Sequence, residues 1–334
     1  MYHHNTYDRF LGSWWGSIFG QGLVQQPASS PEHIFAQPWL LRRRQVAEIL
    51  LHQELRLEDS SFALDKQFVF RNEQQAGVAK HNSDILSLLP LIIFFASEQN
   101  LNLKITAEHN LKLAKLIPNG FANPDILLWC YLLNTVLNSK SELIVNMRDL
   151  AGLIQDQQLL KSPLGEKLIL VSQGVKQGIS LSSLIEILAV KNNPQATAIA
   201  LSWYCFITTP QDFNLSIQRA ALGSPSLAWL TTALTGTLSG AYNGMAKVSR
   251  DWRTNQEQQK NEDLESRLFQ KLFKSWLGVY AVEGNYAVYN SKLDAIALPK
   301  LIQPRQTLNI ISQSPRYHQE SQSSGSHCQT KHRC

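Results

Sequence analysis

The chain has 334 residues, of which 44% are hydrophobic, and a formal net charge of +5. That is the composition of an ordinary globular protein, long enough to bury a sizeable core as one large domain or two smaller ones. The charge is mild and the one short basic run, Arg42 to Arg44, is interpreted as a solvated helix face, so we expect no nucleic-acid partner.

The first predicted helix runs from about Tyr7 to Val24, and the opening "MYHHNTYDRF" lacks the layout of a signal peptide. A linker rich in Pro, Ser and Gln leads to a second helix that begins near Trp39. The longest apolar run, residues 85–96, contains Pro90 and is shorter than the roughly 20 residues that span a bilayer. We therefore expect a soluble, cytoplasmic protein with no membrane partner.

Further helical segments follow in close succession, and no series of alternating strands interrupts them. Start signals precede four of them: Ser83-Asp84, Asn123-Pro124, Asn193-Pro194 and Thr209-Pro210. The pattern predicts an all-α fold, and because no clear boundary divides it we expect a single domain over residues 1–300. The segment 303–334 is rich in Ser, Gln, His and Arg, and we expect it to be disordered.

Glycines recur at every fourth position in two of the predicted helices. Gly12, Gly16 and Gly20 share one face of the first helix, and Gly236, Gly240 and Gly244 share one face of a helix near residue 240. A glycine in a helix interior costs about 1 kcal/mol relative to alanine, so another group must approach both faces closely. We expect the two helices to cross each other, or a shared neighbour, at the centre of the domain.

The four cysteines fall into two pairs. Cys130 and Cys205 lie in apolar helical contexts and are interpreted as buried free thiols. Cys328 and Cys334 stand close to His327 and His332 in the tail, where an unstructured segment is favoured over a weak metal site because the spacing matches no structural zinc pattern.

Several stretches together resemble the ADP-ribosylglycohydrolase family. "DRFLGSWWGSIFGQGL" is similar to the opening helix of that family, and "AIALSWYCFITTPQDFNLSIQRAALG" followed by "TALTGTLSGAYNG" is similar to its C-terminal run. "LLPLIIFFASEQ" and "NPDILLWCYLLNTVL" resemble two segments between them, so that the resemblance covers residues 8 to 245. It implies an all-α, compact orthogonal multi-helix bundle with two magnesium ions in a cleft and hydrolysis of the glycosidic bond of ADP-ribosylated substrates.

The acidic motifs on which that chemistry depends are absent. Where the family pattern has its metal-binding acids, this chain has Gln21, Pro38 with Trp39, and Gly223 followed by Ser224, Pro225 and Ser226. No Asp or Glu occurs from Gln218 to Lys247. Magnesium takes hard oxygen ligands, above all carboxylates, so we expect no metal and no cofactor here. These positions are the cleft candidates: Gln21, Pro38, Trp39, Gly223, Ser224 and Ser226.

Acids elsewhere have plainer interpretations. Asp84 is interpreted as a helix N-cap, and Asp125 as a first-turn residue that favours the positive end of a helix dipole. Glu48 is interpreted as a surface ion-pair partner of the neighbouring arginines, and Asp212 as structural. We identify no catalytic residue.

Three hypotheses remain open. The first and favoured one is a catalytically inactive pseudoenzyme that acts as a binding or scaffold protein, with ADP-ribose, a related nucleotide or another protein as partner. The second is an active hydrolase with acids relocated from Asp84, Asp125 or residues 57–65. The third is a plain helical interaction module. Trp14, Trp15 and Trp39 could stack on an adenine ring, although core packing is the expected role of at least two of them.

Overall fold

A computed structural model describes residues 6–25, 35, 37–52, 84–95, 124–138, 157–189, 193–223, 225–248 and 256–276. Helices dominate these ranges and no strand occurs within them, which confirms the all-α prediction for this part of the chain. The extent of the predicted single domain stays a prediction. The predicted tail lies outside the described residues.

The helices are numbered here in chain order, with a single 3₁₀ turn at Met245–Lys247. They are α1 Thr6–Gln25, α2 Pro38–His52, α3 Asp84–Ser87, α4 Leu89–Phe95, α5 Pro124–Asn138, α6 Gln157–Leu160, α7 Pro163–Gln177, α8 Leu181–Ala189, α9 Pro194–Thr208, α10 Phe213–Ala221, α11 Ala228–Asn243 and α12 Gln256–Trp276. Within the described ranges, none of these helices is both long and apolar enough to cross a membrane.

Local start signals explain where several helices begin. Asn193 caps α9 by accepting a hydrogen bond from the Ala196 N–H, as the sequence predicted. The start predicted at Thr209-Pro210 is wrong, because α10 begins at Phe213 and its cap is Asp212, whose Oδ1 accepts from the Leu215 N–H at 2.9 Å. Thr209 instead closes α9, since its hydroxyl donates to the Cys205 carbonyl oxygen at 2.8 Å.

The glycine faces of α1 and α11 pack directly against each other. A Cβ built on Gly16 would lie 2.0 Å from the carbonyl oxygen of Gly236, and one built on Gly236 would lie 1.9 Å from that of Gly16. The same reciprocal relation joins Gly12 and Gly240, and Gly20 lies against the Thr232 carbonyl. Each step of four residues up α1 is matched by four residues down α11, so the helices are antiparallel. The expected crossing is therefore found between the two helices themselves.

Backbone contact of this kind replaces side-chain packing along the whole seam. With no Cβ in the way, each glycine Cα can approach a carbonyl oxygen of the partner helix, an arrangement that favours weak C–H···O contacts. Gly244 ends α11 with φ +71°, a conformation that glycine adopts at little cost. Just beyond it, the Met245 N–H donates to Asp8 Oδ1 at 3.1 Å, which ties the start of α1 to the end of α11.

The other helices surround this pair. α9 and α10 pack on α11, α7 packs on α9, and α2 and α12 meet each other alongside α1. Four tryptophans are fully buried among them, namely Trp14, Trp39, Trp129 and Trp203. Trp15 is only 5% exposed, so all three tryptophans considered for adenine stacking belong to the core.

Cys130 and Cys205 are buried free thiols, as predicted. Burial raises the pKa of each to about 12. The folded protein therefore holds both protons at pH values where the unfolded chain loses them, and the free energy of unfolding falls as the pH rises from about 9 towards 12.

We expect iodoacetamide at pH 9 to leave Cys130 and Cys205 unmodified in the folded protein and to label both in denaturant. The thiolate is the reactive form, and the fold suppresses both its formation and its access. Peptide mapping by mass spectrometry checks this. Labelling of either cysteine in the native protein, at the rate seen in denaturant, would contradict the burial.

Candidate functional site

Gln21 and Trp39, two of the cleft candidates, lie together in the interior. Each is 1% exposed, and Trp39 Nε1 donates a hydrogen bond to Gln21 Oε1 at 2.7 Å. Gln21 follows Gly20 near the C-terminal end of α1, whereas Trp39 lies in the first turn of α2. At the positions where the resemblance implies carboxylate ligands, the chain therefore has a neutral, buried and mutually satisfied pair.

Two of the remaining cleft candidates, Pro38 and Ser226, are exposed. Pro38 is exposed as the first residue of α2, Gly223 is half-buried just after α10, and Ser226 is exposed in the turn before α11. Ser224 lies outside the described residues. The contact of Gly20 with Thr232 places the C-terminal end of α1 beside the first turns of α11, so Gln21 and the turn containing Ser226 lie at the same end of this helix pair.

The N-terminus of α11 carries no side-chain cap. Leu227 occupies the cap position and makes no capping hydrogen bond, so the N–H groups of the first turn have no partner from that side chain. Thr231, in the following turn, is 1% exposed, and its hydroxyl finds no hydrogen-bond partner within the described part of the chain. A helix N-terminus with spare donors favours an anion.

Arg43 contradicts the interpretation of the basic run as a solvated helix face. Arg42 and Arg44 are half-buried, but the Arg43 side chain is 0% exposed and its Nη2 donates to Glu265 Oε2 at 2.7 Å. Arg44 Nε donates to the other carboxylate oxygen, Oε1, at 2.5 Å. The local sequence around the three arginines does not reveal this site, because Glu265 lies 222 positions further along the chain.

The residues around this ion pair form a polar group that we call the Arg43 cluster, which consists of Trp14, Ser17, Arg43, Arg44 and Glu265. Trp14 Nε1 donates to Glu265 Oε2 at 2.9 Å, and Arg43 Nη1 donates to Ser17 Oγ at 2.8 Å and to the Trp14 carbonyl oxygen at 3.1 Å. The Arg43 guanidinium carbon lies 4.1 Å from the Trp14 ring centroid and 5.3 Å from that of Trp39. The cluster therefore adjoins the Gln21–Trp39 pair.

The Arg43 cluster is positively charged. Two guanidinium groups share one carboxylate, and arginine stays protonated under all ordinary conditions. Burial lowers the pKa of Arg43, and the neighbouring Glu265 carboxylate opposes that shift. Among the described residues, Arg43 Nε and Arg44 Nη2 are buried without an acceptor. The region can stabilise a further anion and would repel a metal cation.

Asp125 has a structural environment. It is 4% exposed, its Oδ1 accepts from the Leu164 N–H at 2.8 Å, and its Oδ2 accepts from Asn193 Nδ2 at 3.4 Å. The carboxylate thus joins the start of α5 to the N-terminal turn of α7 and to the cap of α9, a larger role than the dipole interaction that the sequence predicted. The hypothesis of an active hydrolase with acids from Asp84 or residues 57–65 stays untested, because the side chain of Asp84 and all of residues 57–65 lie outside the described part of the chain.

We expect Asp125→Ala to lower the free energy of unfolding by about 1–3 kcal/mol, since it strands a buried backbone donor. Chemical denaturation of the two proteins measures the difference. Asp212→Ala is the comparison, because Asp212 accepts a similar backbone hydrogen bond at an exposed cap and should cost less. Equal stability of Asp125→Ala and the parent protein would show that the carboxylate does not connect α5, α7 and α9.

The described residues contain no group of three or more His, Cys, Asp and Glu side chains arranged to hold a metal ion. Compared with protein-family models, with curated proteins and with solved structures, the chain gives no significant match in any of the three. The fold and the site geometry show an all-helical protein over the described ranges.

Proposed function

We propose that the chain is an ADP-ribosylglycohydrolase-like pseudoenzyme, which binds ADP-ribose or a related nucleotide without metal and without hydrolysing it. One observation carries this proposal: the Gln21–Trp39 pair beside Arg43. The resemblance assigns carboxylates to these positions, but the pair is neutral, buried and hydrogen-bonded internally. A magnesium ion there would find no anionic ligand and would face the Arg43 guanidinium instead.

The seam between α1 and α11 supports the family part of the proposal. The resemblance is strongest in these two segments, and they meet in register over three successive contacts, two between glycines and one between Gly20 and Thr232. A sequence that keeps glycines at a cost of about 1 kcal/mol each has retained a specific crossing rather than a general helical core. That the helices are arranged as in the ADP-ribosylglycohydrolases is part of this proposal.

The ligand would bind at the end of the seam where α11 begins. The N–H groups of its first turn and the Thr231 hydroxyl can donate hydrogen bonds to the oxygens of a diphosphate or a ribose. These groups bind and orient, but none of them is a general acid or base at neutral pH. The expected activity is therefore binding of the nucleotide without chemical change, and a scaffold protein can link such binding to contact with another partner.

Calorimetric titration of ADP-ribose into the full chain, first with magnesium and then with a chelator, tests the proposal. We expect the same affinity in both buffers and no release of product. Thr231→Val should weaken binding several-fold, whereas Thr237→Val on the same helix should not, because the Thr237 hydroxyl is already committed to the Ala233 carbonyl oxygen. Binding that requires magnesium, or turnover of the ligand, would overturn the pseudoenzyme assignment. If ADP-ribose bound in neither buffer, the proposed nucleotide ligand would be wrong.

A further inference from the structure

Three donors converge on the Glu265 carboxylate from two other helices. Trp14 Nε1 and Arg43 Nη2 donate to Oε2 at 2.9 and 2.7 Å, and Arg44 Nε donates to Oε1 at 2.5 Å. Such a set of charged and neutral N–H groups around two oxygens is the usual way in which proteins bind a carboxylate or a phosphate.

The receptor for this anion is assembled without α12. Arg43 is held by the Trp14 carbonyl and the Ser17 hydroxyl, and it lies between the rings of Trp14 and Trp39. All of these residues belong to α1 and α2; α12 supplies the carboxylate and packs Phe269 against the Trp14 ring, with the ring centroids 5.6 Å apart. If α12 moved away, Arg43 would keep its hydrogen bonds to α1 and would face an empty site.

Glu265 matches this receptor incompletely. The carboxylate neutralises one of two guanidinium charges, and within the described ranges it leaves Arg43 Nε and Arg44 Nη2 buried without acceptors. Buried donors are nearly always satisfied, so two in one cluster call for an explanation. A phosphate group has more acceptor oxygens and up to two negative charges, which fits the receptor better than the carboxylate does.

The helix that supplies Glu265 makes its apolar contacts along one stripe. Among residues 260–276 of α12, the buried ones besides Glu265 are Leu268, Phe269 and Leu272. Phe273 and Trp276 are partly buried, and their rings pack edge-on against Tyr7 and Phe10 of α1. A helix that packs by one stripe is held by fewer buried contacts than a helix inside the core, and such elements open at a lower cost.

We propose that Trp14, Arg43 and Arg44 form a phosphate-binding site that Glu265 occupies in the closed state, and that α12 is displaced when a phosphate group binds there. The ligand class is a phosphate monoester or diphosphate, for which inorganic phosphate and pyrophosphate serve as probes. The proposal is independent of the nucleotide site at the start of α11, because it rests on different residues.

The first test measures phosphate binding to the full chain by calorimetry at constant ionic strength. Glu265→Gln removes the competing charge but keeps the size of the side chain, and it should bind phosphate at least about tenfold more tightly than the parent protein. Asp263→Asn changes an exposed carboxylate two positions before Glu265 on α12, and this variant should bind phosphate as the parent protein does. Adding Arg44→Gln to Glu265→Gln should abolish the gain. Equal affinities of Glu265→Gln and the parent protein, or a gain that survives Arg44→Gln, would overturn the proposal.

The second test uses the unmodified protein, so that it holds even where a variant fails to fold. Pyrophosphate should increase amide hydrogen exchange in residues 256–276 while the amides of α11 stay protected, because displacement of Glu265 releases one helix only. Sodium chloride of equal ionic strength should not do so. Unchanged exchange in α12 at saturating pyrophosphate would also overturn the proposal. Thr231→Val should leave both results unaltered, which separates them from any failure at the α11 site.

Discussion

Gly16→Ala is expected to destabilise the protein by more than about 4 kcal/mol, or to prevent folding altogether. The added methyl group would lie 2.0 Å from the Gly236 carbonyl oxygen and 2.7 Å from its carbonyl carbon. These are backbone atoms in the middle of a helix, so they cannot rotate aside as a side chain would. The α1–α11 seam would have to open along its length, and the contacts of Gly12 and Gly20 would be lost with it.

Gly174→Ala is the matched control for this prediction. Gly174 also lies inside a helix, α7, but its built Cβ would come no closer than 3.4 Å, to the Leu184 Cδ1 at the end of a flexible side chain. The gain in helix propensity, about 1 kcal/mol, should offset the small adjustment. Urea or guanidinium denaturation compares the two variants. If Gly16→Ala were as stable as Gly174→Ala, the two backbones could not be in contact.

Glu265→Leu is expected to lower the free energy of unfolding by about 3–5 kcal/mol, because it leaves Arg43 and Arg44 as uncompensated charges in the interior. Arg43 is fully buried, so its guanidinium cannot reach water without moving the Trp14 and Trp39 rings that enclose it. Apolar packing by the new leucine does not replace the carboxylate. The loss should appear as a lower denaturation midpoint at neutral pH.

Asp263→Leu controls for a charge removed from the same helix, since Asp263 is exposed. Its effect should stay within about 0.5 kcal/mol of zero, the range for surface substitutions. A third variant, Arg43→Met with Glu265→Leu, should recover much of the lost stability, because an apolar pair of similar volume replaces a buried ion pair at little cost. If Glu265→Leu and Asp263→Leu were equally stable, the ion pair between α2 and α12 would be unimportant for the fold.

The close crossing of the two glycine-faced helices could be predicted from the sequence, but its register could not. The glycine spacing indicated a close crossing because only another backbone can fill a face without Cβ atoms, and the partner of Gly16 could be sought among the few helices with the same spacing. The register, with Gly16 against Gly236 rather than Gly240, depends on the ends of both helices. Asp8 and Gly244 fix it by contacts that no periodicity contains.

The Arg43 cluster escaped prediction because charge was read locally. Three consecutive arginines are typical of a solvated face, yet Arg43 falls on the same helical stripe as Trp39, Ala47 and Leu50, all of which are buried. Glu265 likewise falls on the stripe of Phe269 and Leu272. Arg43 and Glu265 each interrupt an otherwise apolar helical stripe, and they carry opposite charges. That pattern in the sequence indicates a buried ion pair.

The placement of the cleft candidates shows a different limit. The resemblance singled out Gln21 and Trp39 as cleft candidates, but it could not indicate whether their side chains face solvent. That depends on α2, whose first turn brings the Trp39 indole to Gln21, and on Arg43 packing over the same ring. The burial of the Gln21–Trp39 pair is thus set by α2, and the identity of the two residues does not indicate it.

The antiparallel seam also constrains how the protein is made. Asp8 and Met245, which close one end of the seam, are 237 positions apart. At roughly 5–20 residues per second, a ribosome takes on the order of tens of seconds to travel between them. During that interval the glycine face of α1 is uncovered, since the helix that packs on it does not yet exist. Packing of the central helix pair must therefore wait until α11 has been synthesised.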